Sequence, residues 1–349
     1  RRPRCVSLAV FALAPTRQQA RSQTRLRGVR TTCAPTRFSM DCCNEAQQSF
    51  LLSFLCFVAT TFLLWRTPIF KPLKLFAVFL HEFSHATAAT LCCQRVTGIE
   101  VAWNEGGLCT YSAATSTTQR RVYFIKCMVL PAGYLGSTLW GCGLVLATAW
   151  PTGAKVCGCV VVVALVIALF FAVCGVAKGL SERCLLIGLA TFFGVVVGAL
   201  TVLDFTLDTT ETSYALETAL LFIGAVNMTF ATYDIYDDTV RRKDERSDAY
   251  KYAELVPCCF ARCVGCTWFL LASAACVGSA FGHVYLVGDG SVAGSKDGGS
   301  ACDLGDTDCL DWYEWLPGPI ALAFGVGSHA LCCALKRAHI IDREPGLSI

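Results

Sequence analysis

The chain has 349 residues, of which 54% are hydrophobic and only 16% charged, with a formal net charge of +3 and a mean hydropathy of +0.53. That balance leaves no room for a separate water-soluble catalytic domain. A charge this small, with no basic patch interleaved with aromatics, excludes nucleic acid as a partner. It fits an all-α polytopic membrane protein, with the lipid bilayer as its solvent.

Residues 1–39 carry nine arginines and no acidic residue. Such a segment is either transit-like or the product of a misassigned start, with Met40-Asp41-Cys42-Cys43 as the natural beginning, and it is set apart from the fold. Residues 40–288 form the expected membrane domain. Residues 289–349 add an acidic, Gly-rich loop, a last span and a short tail. A bilayer-crossing helix needs about 20 mainly apolar residues. The segments that qualify are 49–65, 73–93, 122–149, 156–177, 184–203, 214–236, 264–288 and 316–335. They predict a bundle of about seven or eight transmembrane helices.

The second segment contains His81-Glu82-Phe83-Ser84-His85. Two histidines four residues apart share one face of a helix, where both imidazoles can ligate one ion. Glu82 stands beside the first of them, placed to take a proton from water at a zinc ion. Ionisable groups are expensive inside a membrane, so their presence marks a functional site.

After this span, Val96–Ala102 and Leu108–Ser112 are rich in β-branched and apolar residues, with Asn104-Glu105-Gly106-Gly107 between them as turn chemistry. This predicts a small β-hairpin after the second span, whose edge can hold an extended peptide by strand addition. Pro131-Ala132-Gly133-Tyr134-Leu135-Gly136-Ser137 then falls inside the third span. The proline is expected to interrupt the helix, and the small residues allow close helix approach, either beside the site or as routine packing.

A third ligand is needed for a zinc site. Asp234, Asp237 and Asp238 at the end of the sixth span lie at i, i+3 and i+4, on one face of a helix, with Asn227 two turns earlier. This cluster is the best supplier of that ligand. The basic segment 239–263 and Arg66, Lys71 and Lys74 both ask for the cytoplasmic side. Counting the intervening spans gives the wrong parity, so one of 122–149, 156–177 or 184–203 is expected to be re-entrant or doubled.

There are 23 cysteines. Single ones inside spans read as small hydrophobes. Pairs such as Cys92-Cys93 and Cys258-Cys259 are candidate palmitoylation sites. Cys302 and Cys309 form a candidate disulfide if their loop faces an oxidising lumen.

Taken together, Val78 to Ala86, Asn104 to Gly107, Pro131 to Ser137, Tyr233 to Asp238 and Ser247-Asp248-Ala249 make the chain resemble the site-2 protease class of intramembrane zinc metallopeptidases. It looks closest to the peptidase M50B-like branch. The likeness covers roughly residues 42–285. It implies a zinc metalloendopeptidase that cuts transmembrane protein substrates, with Zn2+ as cofactor, His81 and His85 as ligands and Glu82 as catalytic acid/base. It further implies Asn104, Gly106, Gly107 and Asn227 as substrate-binding positions. The chain departs from the pattern in having no Leu-Asp-Gly, where typical members carry the third ligand; Asn227 followed by Asp234 is the nearest counterpart, which favours Asp234 as the ligand, with Asp237 and Asp238 as alternatives. The alternative is an inactive pseudoprotease that binds or escorts membrane clients. A multi-pass protein of the endomembrane system or plasma membrane is favoured over one of an organelle. Substrate and oligomeric state are not legible.

Overall fold

The structure is a computed structural model and describes residues 45–112, 118–175, 179–242, 245–256 and 260–288. In chain order the elements are α1 (Glu45–Leu64), a 3-10 turn (Pro68–Phe70), α2 (Lys71–Leu91), β1 (Arg95–Val101), β2 (Gly107–Ser112), α3 (Gln119–Ala147), α4 (Pro151–Cys174), α5 (Leu180–Leu207), α6 (Thr210–Tyr236), a π-helical turn (Asp237–Arg241), α7 (Asp248–Leu255) and α8 (Ala261–Gly288).

Among the described residues, six helices are long and apolar enough to cross a membrane: α1, α3, α4, α5, α6 with its π turn, and α8. The seventh expected span is α2, whose lysines, histidines and glutamate lower its apolar content. The eighth, 316–335, lies outside the described residues, as do 1–39, Cys258-Cys259, Cys302 and Cys309. Two expectations are corrected. α3, α4 and α5 are single unbroken helices of 29, 24 and 28 residues, so none is re-entrant or doubled. α3 also runs straight through Pro131 without interruption, which neighbouring helices permit when they enclose the freed backbone group.

Several buried hydroxyls are satisfied locally, as a membrane interior favours. Thr60, Thr61, Ser84, Thr201 and Thr229 each donate to the carbonyl four residues earlier at 2.7–2.8 Å. α6 starts on a reciprocal cap, in which Thr209 Oγ1 accepts from the Thr212 amide and Thr212 Oγ1 from the Thr209 amide.

α2 lies at the centre. Its run Leu75–Leu80 is 5% exposed or less, and it packs on α3, α6 and both strands. It ends in a tight turn where Cys93 takes a left-handed φ of 58° and Gln94 donates back to the Ala89 carbonyl at 2.9 Å. This reversal sends β1 back along α2. The predicted hairpin is present, antiparallel from Arg95↔Ser112 to Val101↔Gly107, with an irregularity between Val96 and Gly98. α4 and α5 pack against each other and against β1. Among the described residues no other strand pairs with β2.

Candidate metal centre

His81 and His85 face α3 from α2. The His85 Nδ1 lies 2.7 Å from the Val129 carbonyl oxygen. A carbonyl only accepts, so this nitrogen carries a proton, and in the neutral ring that leaves the lone pair on Nε2. His85 Nε2 lies 2.9 Å from Asp248 Oδ2 and 3.1 Å from His81 Nε2, and His81 Nε2 lies 3.1 Å from the same Asp248 oxygen. Among the described residues, this is the group of His, Cys and acidic side chains whose donor atoms converge, all within 4.8 Å.

The donor set fits zinc. Two imidazole nitrogens and a carboxylate oxygen are its ordinary ligands, and a tetrahedral ion with bonds of about 2.0 Å keeps its ligands roughly 3.3 Å apart. The surroundings fit as well. Gly133 of α3 comes so close that a Cβ there would overlap both His81 Nε2 and His85 Nε2. Any larger residue would fill the space on which the three donors converge. Asp248 stands on α7, outside the spanning helices. Burial pushes its carboxyl up, but hydrogen bonds and charge from His81 and His85 outweigh this and hold it well below the usual carboxylate range.

Glu82, 7% exposed, is within electrostatic reach of His81, His85, Asp248 and Lys251. The hairpin closes over it. A Cβ on Gly107 would overlap the Glu82 carboxylate, and one on Gly136 would overlap the Ser84 side chain, so two glycines let a strand and a helix reach α2 directly. The hairpin turn is tied down by Lys74 Nζ, 3.1 Å from both Glu105 oxygens, and by Lys71 over the Trp103 ring at 4.6 Å. Cys109 on β2 also faces Glu82; burial, aided by that charge, pushes its thiol up to about 12.

The sixth-span aspartates go elsewhere: none of Asp234, Asp237 and Asp238 is among the donor atoms that converge with the histidines. α6 does not continue as a regular helix but widens into the π turn, which breaks the i, i+3, i+4 face. Asp237, 1% exposed, pairs with Arg241 at 2.9 Å and with Arg242. Asp238 accepts the Tyr134 hydroxyl at 2.7 Å. Asp234 lies near Asp238, Arg242 and Asp237, and within electrostatic reach of Asp248. The carboxylate that meets the histidines is Asp248. A local signal for it existed in Ser247-Asp248-Ala249. Ser247 is the residue before α7, Asp248 opens the helix and Ala249 is fully buried, which points the start of α7 inward.

Of the expected substrate positions, Gly107 is at the site. Asn104 and Gly106 lie further out in the turn, with Gly107 along a groove of about 450 Å³ that Glu100, Leu108 and Glu182 also line. Asn227 is 1% exposed and donates to the Ser137 carbonyl at 2.6 Å between α6 and α3. It sits in the helix interface rather than among the converging donors.

The family model described as Peptidase M50B-like matches residues 54–279. The chain belongs to the peptidase M50B-like family. The matched span takes in the histidine motif, the hairpin, the Pro131 segment, the π turn and α7. With six helices among the described residues long and apolar enough to cross a membrane, the chain is an integral, multi-pass membrane protein of a peptidase family. No curated protein and no solved structure matches it.

Proposed function

We propose that this chain is a zinc-dependent intramembrane endopeptidase whose ligands are His81, His85 and Asp248 and whose acid/base is Glu82. The observation that carries the reading is the convergence of His81 Nε2, His85 Nε2 and Asp248 Oδ2 beside a buried glutamate. Three acceptor atoms this close repel unless a positive charge lies among them, and that charge is either a proton on an imidazole Nε2 or a metal ion. A structural pairing of Asp248 with the histidines would leave Glu82 without a task.

When bound, zinc supplies Lewis acidity that polarises a scissile carbonyl and acidifies water. The rest falls to the chain. Val129 fixes the His85 tautomer and Asp248 closes the donor set. Glu82 accepts the proton of the attacking water and returns it to the leaving amide nitrogen. The substrates are transmembrane proteins. A helical peptide bond is shielded by its own hydrogen bonds, so the cut segment must first become extended. The outer edge of β2 offers backbone hydrogen bonds to such a strand, alongside Gly107 and Glu82.

The test is zinc content per chain in detergent-purified protein, with cleavage of a reconstituted transmembrane substrate measured in parallel. Zinc in wild type, lost in Asp248→Ala and kept in Asp234→Ala, supports the ligand set. Zinc kept but cleavage lost in Glu82→Gln supports the acid/base role. A wild type that holds zinc and cleaves nothing across a panel of membrane substrates would favour the pseudoprotease.

A further inference from the structure

We infer that Tyr134 is a positioning residue of the metal centre, held by Asp238, which sets the His81 ring against the helix that supplies Asp248. The inference rests on the metal-site reading above.

Tyr134 is 2% exposed and sits between three elements. On one side its ring stands edge-on to His81, with centroids 4.9 Å apart and planes at 82°. An imidazole so flanked cannot rotate about its Cβ bond without striking the phenol. On the other side lies Trp268 of α8 at 5.8 Å, and Trp268 in turn meets Tyr252 of α7 at 5.5 Å. Tyr252 is one helical turn from Asp248. A continuous row of rings therefore runs from one ligand, on α2, to the helix that carries another. Tyr134, Trp268 and Ala249 belong to one buried cluster.

The hydroxyl fixes where the phenol stands. Tyr134 Oη donates to Asp238 Oδ2 at 2.7 Å, a short bond to a charged acceptor. Asp238 lies in the π turn, a local widening that often marks functional sites in helices. The turn divides the aspartates. Asp237 pairs with Arg241 and Arg242, while Asp238 accepts from Tyr134. The acidic cluster at the end of α6 thus acts on the metal centre through a phenol rather than as a ligand. Such supporting groups are worth about 10- to 100-fold in metal affinity.

The experiment is a zinc titration of metal-free, detergent-purified full chain against a competing chelator. It is paired with the visible spectrum of the cobalt-substituted protein, for wild type, Tyr134→Phe, Tyr134→Leu, Asp238→Asn and the Tyr134→Phe/Asp238→Asn double variant. The expected result is a loss of about 10-fold in zinc affinity for Tyr134→Phe and for Asp238→Asn, with the double variant no worse than either, because both remove one link. Tyr134→Leu should lose about 100-fold, and the cobalt bands should shift in every variant. A purely structural tyrosine would lower the melting temperature and leave the affinity and spectrum of the folded protein unchanged. That result in Tyr134→Phe overturns the inference, even should Tyr134→Leu fail to fold. A wild type that binds neither metal would remove the metal-site reading, and this inference with it.

Discussion

α4 and α6 are both long membrane helices, yet they live in different solvents. α4 has a mean hydropathy of 3.2 over its most apolar stretch, of which 33% is buried; α6 has 1.4 and 67%. Val160, Val163, Val166, Phe170 and Val173 of α4 are all exposed, spaced as one helical stripe that faces lipid. α6 instead spends its surface on protein and can carry Asn227, Asp234, Asp237 and Asp238. The lesson concerns α2. It too must be enclosed, because every charge it bears must be met by another part of the chain. The centre of the bundle is where chemistry is permitted, and the α4–α5 pair is where apolar surface is enough.

The sharpest way to break this contrast is at Glu82, the proposed acid/base. Glu82→Gln should reduce cleavage by about 10²- to 10⁴-fold while zinc content stays at the wild-type level, measured by metal analysis beside the cleavage assay. Next comes Gly133→Ala. Its methyl group would overlap both histidine nitrogens, so bound zinc should be lost, and overpacking should cost ~1–3 kcal/mol in a thermal melt. A Gly133→Ala protein with full zinc would show that α3 does not shape the site. The α4–α5 counterpart is Gly158→Ala, whose methyl group would overlap Thr201 Oγ1. Here the expected outcome is a loss of roughly 1 kcal/mol with zinc unchanged. The smallest effect belongs to the lipid-facing stripe: Val163→Leu and Val166→Leu should change stability by less than about 0.5 kcal/mol and leave zinc and cleavage alone.

Much of this was legible in the sequence because the signals were local. His81 and His85 fall four apart on one helix, and the hairpin is written in two β-rich runs around Asn104–Gly107. Seven of the apolar segments are helices where the described residues reach them. The third donor was not legible by helical spacing. The face shared by Asp234, Asp237 and Asp238 holds only if α6 stays α-helical, and the π turn re-aims the last two. Asp248 stands in a basic, polar segment that reads as a loop, and only the tertiary fold brings it back 163 residues along the chain to His85. Span counting misled in a similar way. A proline within an apolar run reads as a break, but the enclosing helices carry α3 past Pro131.

The distance in sequence between the two halves of the donor set has a consequence for biosynthesis. His81 and His85 enter the membrane early, whereas Asp248 is synthesised 167 residues after His81. At ordinary rates of translation that interval is on the order of 10–30 s. Throughout it the nascent chain offers a pair of imidazoles without their carboxylate, and no complete cage in which to retain an ion. The three groups can converge only once nearly the whole bundle has been inserted, so a chain truncated by stalling before residue 248 never acquires the third of them.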